Sequence, residues 1–316
     1  MKKRDLDKSE LFERNNFDLL RLIAASQVAV VHGIQHLKVE FLYPTAKCLA
    51  FIPGVPIFFF LSGLLISAAW ERNPDFKSFL GNRFYRIFPG LWFCVFVSIS
   101  VIVLCSLIFD KTIPYFLLAF WGVLQGTFLP QWNPEFLDWF GIGVVNGSLW
   151  TIPVELCFYL ILPMVYAVSV RLGIGVNLVF AVLGAISLIF FYMLIVIKPA
   201  SDLQLLISKI IRFTPIPWFW MFCFGVFAQR FIKFLHPLIV NKVHIFLLVF
   251  IFLSFAGNIL NTPILFGVGN EVGIINWLAL CLLVLSFGYS FPWLSEKFLK
   301  RNDFSYGMYI YHMPIF

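Results

Sequence analysis

The sequence contains few charged residues. Only 12% of its 316 residues are charged and 61% are hydrophobic, which gives a mean hydropathy of +0.91. Soluble domains carry charge on about a quarter of their residues, so a soluble globular fold is excluded. Apolar runs long enough to cross the ~30 Å hydrocarbon core of a bilayer recur from residue 17 onward. We therefore predict an all-α polytopic membrane protein.

Paired cysteines and a cleavage site are also missing. The six cysteines lie in or beside apolar segments without paired spacing, which argues against disulfides and metal sites. The polar residues 1–16 are not followed by a small-x-small cleavage pattern. We interpret residues 1–16 as a cytoplasmic tail and residues 17–316 as one transmembrane domain. The net charge of +7 is interpreted as orientation in the membrane, not as nucleic-acid binding.

Apolar runs of helical length predict nine to ten transmembrane helices. They lie near residues 17–37, 51–70, 88–109, 147–170, 174–197, 214–233, 243–260 and 272–291, with a last run from 304. One further run, 113–130, contains two prolines and two glycines. It either crosses the membrane or dips in and returns.

The distribution of Lys and Arg separates these two threadings. If 113–130 crosses, twelve basic residues are cytoplasmic and ten lie outside. If it is re-entrant, sixteen are cytoplasmic and six lie outside. Cytoplasmic segments are enriched in Lys and Arg, so we favour the re-entrant segment with a cytoplasmic N-terminus. Thirteen residues follow Asp303, fewer than the ~20 that cross a bilayer, and we expect a domain shortened at its C-terminus.

Arg21 and His32 stand in the first apolar run. Ten residues separate them, and eleven helical steps of ~100° place both on one face, ~16 Å apart along the axis. Arg21 also lies three residues after Asp18, a spacing that suits a local ion pair. A snorkelling cation near the headgroups is the alternative for Arg21.

Glu155 lies well inside an apolar run, where an ionisable group usually faces a cavity or a partner. In the favoured threading it lies at the depth of His32, which would let the two side chains meet. A carboxylate beside an imidazole orients it as a general base. A structural hydrogen bond between helices is the alternative.

Arg83 and Arg86 form a basic edge before the third long run. Guanidinium groups match phosphate with two parallel hydrogen bonds, so both are candidates for an anionic ligand, and orientation charge is the alternative. Ser62 and Gly63 lie in mid-run, where small residues let helices approach closely or open the backbone to a ligand.

Five segments, in this order, resemble the motifs of the membrane-bound acyltransferase family 3, the bacterial carbohydrate O-acyltransferases. They are "FDLLRLIAASQVAVVH", "FFFLSGLLI", "RFYRIFP", "GSLWTIPVELCFYLILP" and "SYGMYIYHMPI". The resemblance implies a bundle of about ten helices in the cell (inner or plasma) membrane. It also implies transfer of an acyl group, foremost acetyl, from cytoplasmic acyl-CoA to a hydroxyl of an extracytoplasmic carbohydrate, with no cofactor besides this donor.

The resemblance also assigns roles to residues. His32 would be the catalytic base and Glu155 an essential site residue, while Arg21, Arg83 and Arg86 would handle the donor. The supporting motif positions are Asp18, Ser62, Ser148, Trp150, Tyr309 and His312.

Two other functions fit the same residues. A proton-coupled transporter or flippase would use His32, Glu155 and Arg21 as a relay, although no repeated half-structure is visible and the Arg83 and Arg86 pair has no obvious use there. An inactive scaffold related to the enzyme fits the short last run.

Overall fold

The computed structural model describes residues 12, 15–127, 129, 132–197, 199–260, 262, 267, 269–300 and 302–315. Within these ranges the regular structure is helical and includes no strand, so the predicted all-α class is confirmed. The helices are, in chain order, α1 (Phe17–His36), α2 (Tyr43–Leu49), α3 (Gly54–Arg72), α4 (Phe76–Ile108), α5 (Tyr115–Gln125), α6 (Thr151–Leu172) and α7 (Val176–Val196). They continue as α8 (Asp202–Arg212), α9 (Phe219–Arg230), α10 (Ile232–Ile239), α11 (Val243–Leu260), α12 (Ile274–Ser290), α13 (Trp293–Leu299) and α14 (Ser305–Ile315).

Fewer helices than predicted are long enough to span a membrane. Within the described ranges the candidates are α1, the segment Glu40–Arg72, α4, the segment Gly147–Leu172, α7 and α11, six in all. Two bent pairs, α9 with α10 at 87° and α12 with α13 at 75°, raise the number to at most eight. The predicted count of nine to ten is not confirmed. Helices α5 and α14 have only 11 residues each and rise ~16 Å.

Helix α4 begins well before the apolar run that predicted it. The run starts near residue 88, whereas the helix starts at Phe76, where the Asp75 side chain accepts a hydrogen bond from the Ser78 backbone N–H at 2.8 Å. This cap satisfies a terminal N–H group and lets polar residues extend the helix. Arg83 and Arg86 therefore lie ~10 and ~15 Å inside α4, not at its edge.

Helices α3 and α9 cross at the centre of the bundle. A Cβ added to Gly63 of α3 would lie 2.0 Å from the carbonyl oxygen of Phe222, and one added to Gly225 of α9 would lie 2.0 Å from the carbonyl oxygen of Phe60. Such contacts are possible only without side chains at the crossing. The interpretation of Gly63 as a close-packing residue is therefore confirmed.

The short helix α14 lies between α1 and α4 and runs parallel to both. Along α1, Ser26 donates a hydrogen bond to the Met308 sulfur of α14 at 3.1 Å. Along α4, the Tyr311 hydroxyl donates to the carbonyl of Gly90 at 3.0 Å and the Cys94 thiol to the carbonyl of Ile310 at 3.1 Å. Residues of α14 thus reach both neighbours at successive depths.

Helix α6 runs antiparallel to α4, so the chain between them leaves and re-enters the bundle at one end. Asn146, just before α6, donates to the Ile310 carbonyl at 2.8 Å, the same carbonyl that Cys94 of α4 contacts. Further along α6, the Tyr159 ring lies 5.9 Å from the guanidinium of Arg83, which precedes Cys94 by eleven residues on α4. This geometry supports the threading in which 113–130 does not cross.

The Gly63 crossing leads to a stability prediction. Gly63→Ala should destabilise the protein by about 1–3 kcal/mol, because the methyl group meets a backbone oxygen that cannot rotate away. Thermal unfolding of the detergent-solubilised protein measures this loss. Gly81→Ala is the control, since no atom lies within 4 Å of its added Cβ and Ala is the better helix former. Equal unfolding midpoints for the two variants would contradict the prediction.

Candidate active site

Asp303, just before α14, binds two arginines from different helices. Its Oδ2 accepts a hydrogen bond from Nη1 of Arg21 at 2.9 Å and another from Nη2 of Arg86. Its Oδ1 accepts from the Ser305 backbone N–H at 3.0 Å and from the Ser305 hydroxyl. Burial raises the pKa of the Asp303 carboxyl, but the two guanidinium groups and Ser305 outweigh burial and hold that pKa below its usual range.

The expected local ion pair between Asp18 and Arg21 is wrong. Among the described residues, the carboxylate that hydrogen-bonds Arg21 is that of Asp303. A pair on one helix face contributes only ~0.2–0.5 kcal/mol, and Asp303 is already oriented by Ser305. Sequence reasoning missed Asp303, although an acidic residue two positions before the "SYG" motif was a signal for it.

Arg83 differs from its two neighbours because it makes no ion pair among the described residues. Its guanidinium carbon lies 5.6 Å from the ring centre of Phe79 and 5.9 Å from that of Tyr159. Its Nε is buried and has no hydrogen-bond partner. A buried N–H group without a partner is costly, so Arg83 holds donor capacity that an anion would satisfy.

Two cavities share Arg21 and Glu155 in their walls. The first has about 240 Å³ of empty space and the second about 380 Å³. The polar residues that line only the first are Ser62, Arg83, Arg86 and Tyr159. The polar residues that line only the second are Thr151, Ser305, Tyr306 and Tyr309. Together the two cavities extend from the level of the α4 arginines to the level of Tyr309.

Glu155 lies at the junction of these cavities and does not meet His32. Its Oε1 accepts hydrogen bonds from the Ser62 hydroxyl at 2.9 Å and from the Tyr159 hydroxyl. The expected pairing of Glu155 with His32 is wrong. That prediction counted the depth of Glu155 from residue 147, which it took as the outer end of a helix. Residues Gly147–Trp150 instead form a 3-10 turn inside the bundle, which moves Glu155 toward the arginines.

His32 is hydrogen-bonded to a second histidine. Its Nδ1 lies 2.9 Å from Nε2 of His312, and Nδ1 of His312 lies 2.8 Å from the carbonyl oxygen of Tyr309. The ring of His36 lies 5.7 Å from that of His32 without a hydrogen bond between them. His312 is buried, with 6% of its surface exposed. The two histidines line neither of the two cavities, which end at Tyr309.

Of the remaining motif residues, Ser148 and Tyr309 hold α14 against the start of α6, whereas Trp150 packs toward α9. The Tyr309 hydroxyl donates to the carbonyl of Ser148 at 3.1 Å and is also hydrogen-bonded to the Thr151 hydroxyl at 2.9 Å. Trp150 packs on Trp218, with ring centres 5.4 Å apart. These contacts are structural, and they position the Tyr309 carbonyl that binds His312.

The site therefore separates two kinds of chemistry. Three guanidinium groups surround one end of the cavities, where they can bind an anion. A pair of imidazoles lies beyond the other end, where it can accept a proton. Asp303, two residues before α14, and His312, seven helical steps (~11 Å) after the first residue of α14, mark these two ends.

Comparisons with known proteins give the family. The model of the acyltransferase 3 family, described as an acyltransferase domain, matches residues 14–316. Nodulation protein 10 of Rhizobium leguminosarum bv. viciae is 32% identical over 324 residues, which cover 96% of this chain and 83% of that protein. The chain belongs to the acyltransferase 3 family and is an O-acyltransferase.

Two further relatives match over shorter stretches. An O-acetyl transferase of Shigella phage Sf6 is 33% identical over 48% of this chain and 45% of its own length. Peptidoglycan O-acetyltransferase OatA of Listeria monocytogenes serovar 1/2a is 30% identical over 47% of this chain and 25% of its own length. No solved structure matches the chain.

The Asp303 contacts predict a charge-dependent stability. Asp303→Asn should lower the free energy of unfolding by about 1.5–3 kcal/mol, because hydrogen bonds to two charged groups lose their ionic component. The pKa of Asp303 is lowered in the folded state, so its contribution is complete above about pH 4 and is lost as the pH falls through the folded-state pKa. Thermal unfolding of variant and parent across this range measures the difference, which should shrink toward acid.

Asp75→Asn is the matched control for this prediction. Asp75 is the exposed cap of α4, and Asn caps a helix as well as Asp does. The same change of charge should therefore leave the midpoint unchanged. A loss as large as that of Asp303→Asn would assign the effect to overall charge and not to the contacts of Asp303.

Proposed function

We propose that this protein transfers an acyl group, foremost acetyl, from cytoplasmic acyl-CoA to a hydroxyl of an extracytoplasmic carbohydrate. The observation that carries the proposal is the placement of an arginine cluster and a histidine pair at the two ends of α14. Acyl transfer needs both parts. An anionic donor must be held, and a neutral alcohol must lose its proton as it attacks.

The arginine end suits the donor. Acyl-CoA carries phosphate groups, and guanidinium groups bind phosphate more specifically than ammonium groups do. Arg83 offers a buried N–H group without a partner, whereas Arg21 and Arg86 are engaged by Asp303. Arg83 is therefore our first candidate for a direct donor contact, with Arg21 and Arg86 beside it.

The histidine end suits the acceptor. A hydroxyl oxygen of the acceptor attacks the thioester carbonyl carbon while its proton passes to His32. The carbon–sulfur bond then breaks, the ester is released, and the proton returns to the coenzyme A thiolate. A thioester is already activated, so the protein needs to position the two reactants, remove the proton and stabilise the oxyanion. Glu155, at the cavity junction, remains our candidate for a further residue in contact with the donor.

The acceptor and the orientation are inferred from the relatives and from charge. Two relatives are named as O-acetyl transferases, one of them acting on peptidoglycan, and an exported polysaccharide or its lipid-linked precursor is the acceptor we propose. The excess of Lys and Arg on one side in the favoured threading supports a cytoplasmic N-terminus under the positive-inside rule. The chain then lies in the inner, or plasma, membrane.

Thiol release from acetyl-CoA tests the proposal. The purified protein should release coenzyme A, faster with a polysaccharide acceptor than without one, and mass spectrometry should find the acetylated product. A transporter or flippase would release no thiol, and an inactive scaffold would neither release thiol nor acetylate a glycan.

Donor binding should depend on Arg83. Arg83→Ala should weaken coenzyme A binding more than tenfold, because a charge-assisted hydrogen bond contributes about 1.5–3 kcal/mol. Arg83→Lys should restore binding only in part, since an ammonium cannot reproduce the planar fork. Isothermal titration calorimetry gives the affinities. The control is Arg72→Ala, which removes an exposed cation at the end of α3. Equal affinities for the Arg83→Ala and Arg72→Ala proteins would contradict the prediction and leave Arg83 as an orientation charge.

Catalysis should depend on His32. His32→Ala should reduce the rate of transfer by about 10²–10⁴ while leaving coenzyme A binding nearly unchanged, because a general base acts on the acceptor hydroxyl. Arg21→Ala should instead weaken donor binding. Thiol release and calorimetry on both variants separate the two effects. His236→Ala is the control, since His236 packs on Tyr289 and lines neither cavity. Transfer by the His32→Ala protein at the parental rate would show that His32 is not the base.

A further inference from the structure

The hydrogen bonds around His312 determine where the proton of His32 lies. A carbonyl oxygen only accepts, so Nδ1 of His312 carries a proton and donates it to the Tyr309 carbonyl at 2.8 Å. In a neutral imidazole the second nitrogen is then an acceptor. Nε2 of His312 therefore accepts at 2.9 Å from Nδ1 of His32. With both rings neutral, the state that an apolar interior favours, Nε2 of His32 carries no proton.

We propose that His312 is a positioning residue that holds His32 in the tautomer with its proton on Nδ1 and a bare Nε2. This inference rests on the proposed function, in which Nε2 of His32 takes the acceptor proton. Nε2 of His32 makes no hydrogen bond with the described residues, so it is available to a hydroxyl group. The hydrogen bonds from the Tyr309 carbonyl through His312 to His32 then fix the tautomer of this base, as a carboxylate does in other histidine-dependent enzymes.

The position of His312 also suits the charge that forms during the reaction. When His32 accepts a proton, its bond to His312 becomes charge-assisted and stronger. The neutral His312 thus stabilises the His32 imidazolium only when it forms during the reaction. It adds no permanent charge to the bundle.

The backbone that holds His312 is itself fixed from the other side. The Tyr309 hydroxyl donates to the Ser148 carbonyl at 3.1 Å and is also hydrogen-bonded to the Thr151 hydroxyl. The Tyr309 carbonyl therefore points toward His312 in a defined direction. This explains why the "GSLWT" segment and α14 meet at this depth.

Two substitutions separate positioning from packing. Gln at position 312 reaches about as far as the Nε2 of His and offers an oxygen that can accept from His32, whereas Leu fills the space without an acceptor. His312→Leu should lower kcat by about 10²-fold, toward the lower end of what a general base contributes, with an unchanged KM for acetyl-CoA. His312→Gln should restore much of kcat. His36→Gln, which changes a ring that stacks near His32 without a hydrogen bond, should leave both constants unchanged.

Nitrogen-15 NMR of histidine-labelled protein in detergent micelles tests the tautomer without relying on activity. The spectrum of the His32→Gln protein identifies the His32 signals in the parent. The parent and the His312→Gln protein should show His32 protonated on Nδ1, and the His312→Leu protein should show a mixture of tautomers.

The NMR and kinetic outcomes keep the inference separate from the proposed function. A parent His32 protonated on Nε2, or an unchanged tautomer in the His312→Leu protein, would overturn the role of His312 even if His32→Ala abolishes transfer. Parental transfer by the His32→Ala protein would instead overturn the proposed function, while the NMR result would still decide whether His312 sets the tautomer.

Discussion

The carboxylate of Asp303 joins α1, α4 and α14 through its bonds to Arg21, Arg86 and Ser305. In an apolar bundle an isolated guanidinium is costly, so each arginine needs a partner or an opening to water. One carboxylate meets this need for two arginines on different helices. It thereby fixes the start of α14, and the position of every later residue of that helix follows.

Polar contacts, more than apolar burial, hold α14 in place. Lipid is as apolar as the bundle interior, so hydrophobic burial gives little preference for one depth of α14. Hydroxyl and thiol groups set that depth instead. The Tyr306 hydroxyl donates to the Ile87 carbonyl at 2.8 Å, and Cys94 and Asn146 donate to the Ile310 carbonyl. The arginine end and the histidine end are consequently held at a constant separation.

Much of this arrangement could be predicted from local pattern, and the rest depended on packing. The prediction that Arg21 and His32 share one face of a helix is confirmed, because both contact α14, through Asp303 and His312. The identity of those partners could not be predicted, since 282 and 280 residues separate the members of each pair and no local rule links them. The position of Glu155 was predicted at the wrong depth because a 3-10 turn, not a full helix, leads into α6. The start of α4 was missed because capping by Asp75, and not hydropathy, decides it.

The two ends of the site use different partners for a physical reason. Of the carboxylates that hydrogen-bond in the site, Asp303 binds Arg21 and Arg86. Glu155 shares the wall of one cavity with the three arginines. A carboxylate beside His32 would favour its protonated form before any acceptor arrives, and a protonated imidazole cannot act as a base. A neutral imidazole orients His32 through the same kind of hydrogen bond without that effect. Keeping acidic groups away from the histidine end therefore preserves the neutral base that an alcohol needs.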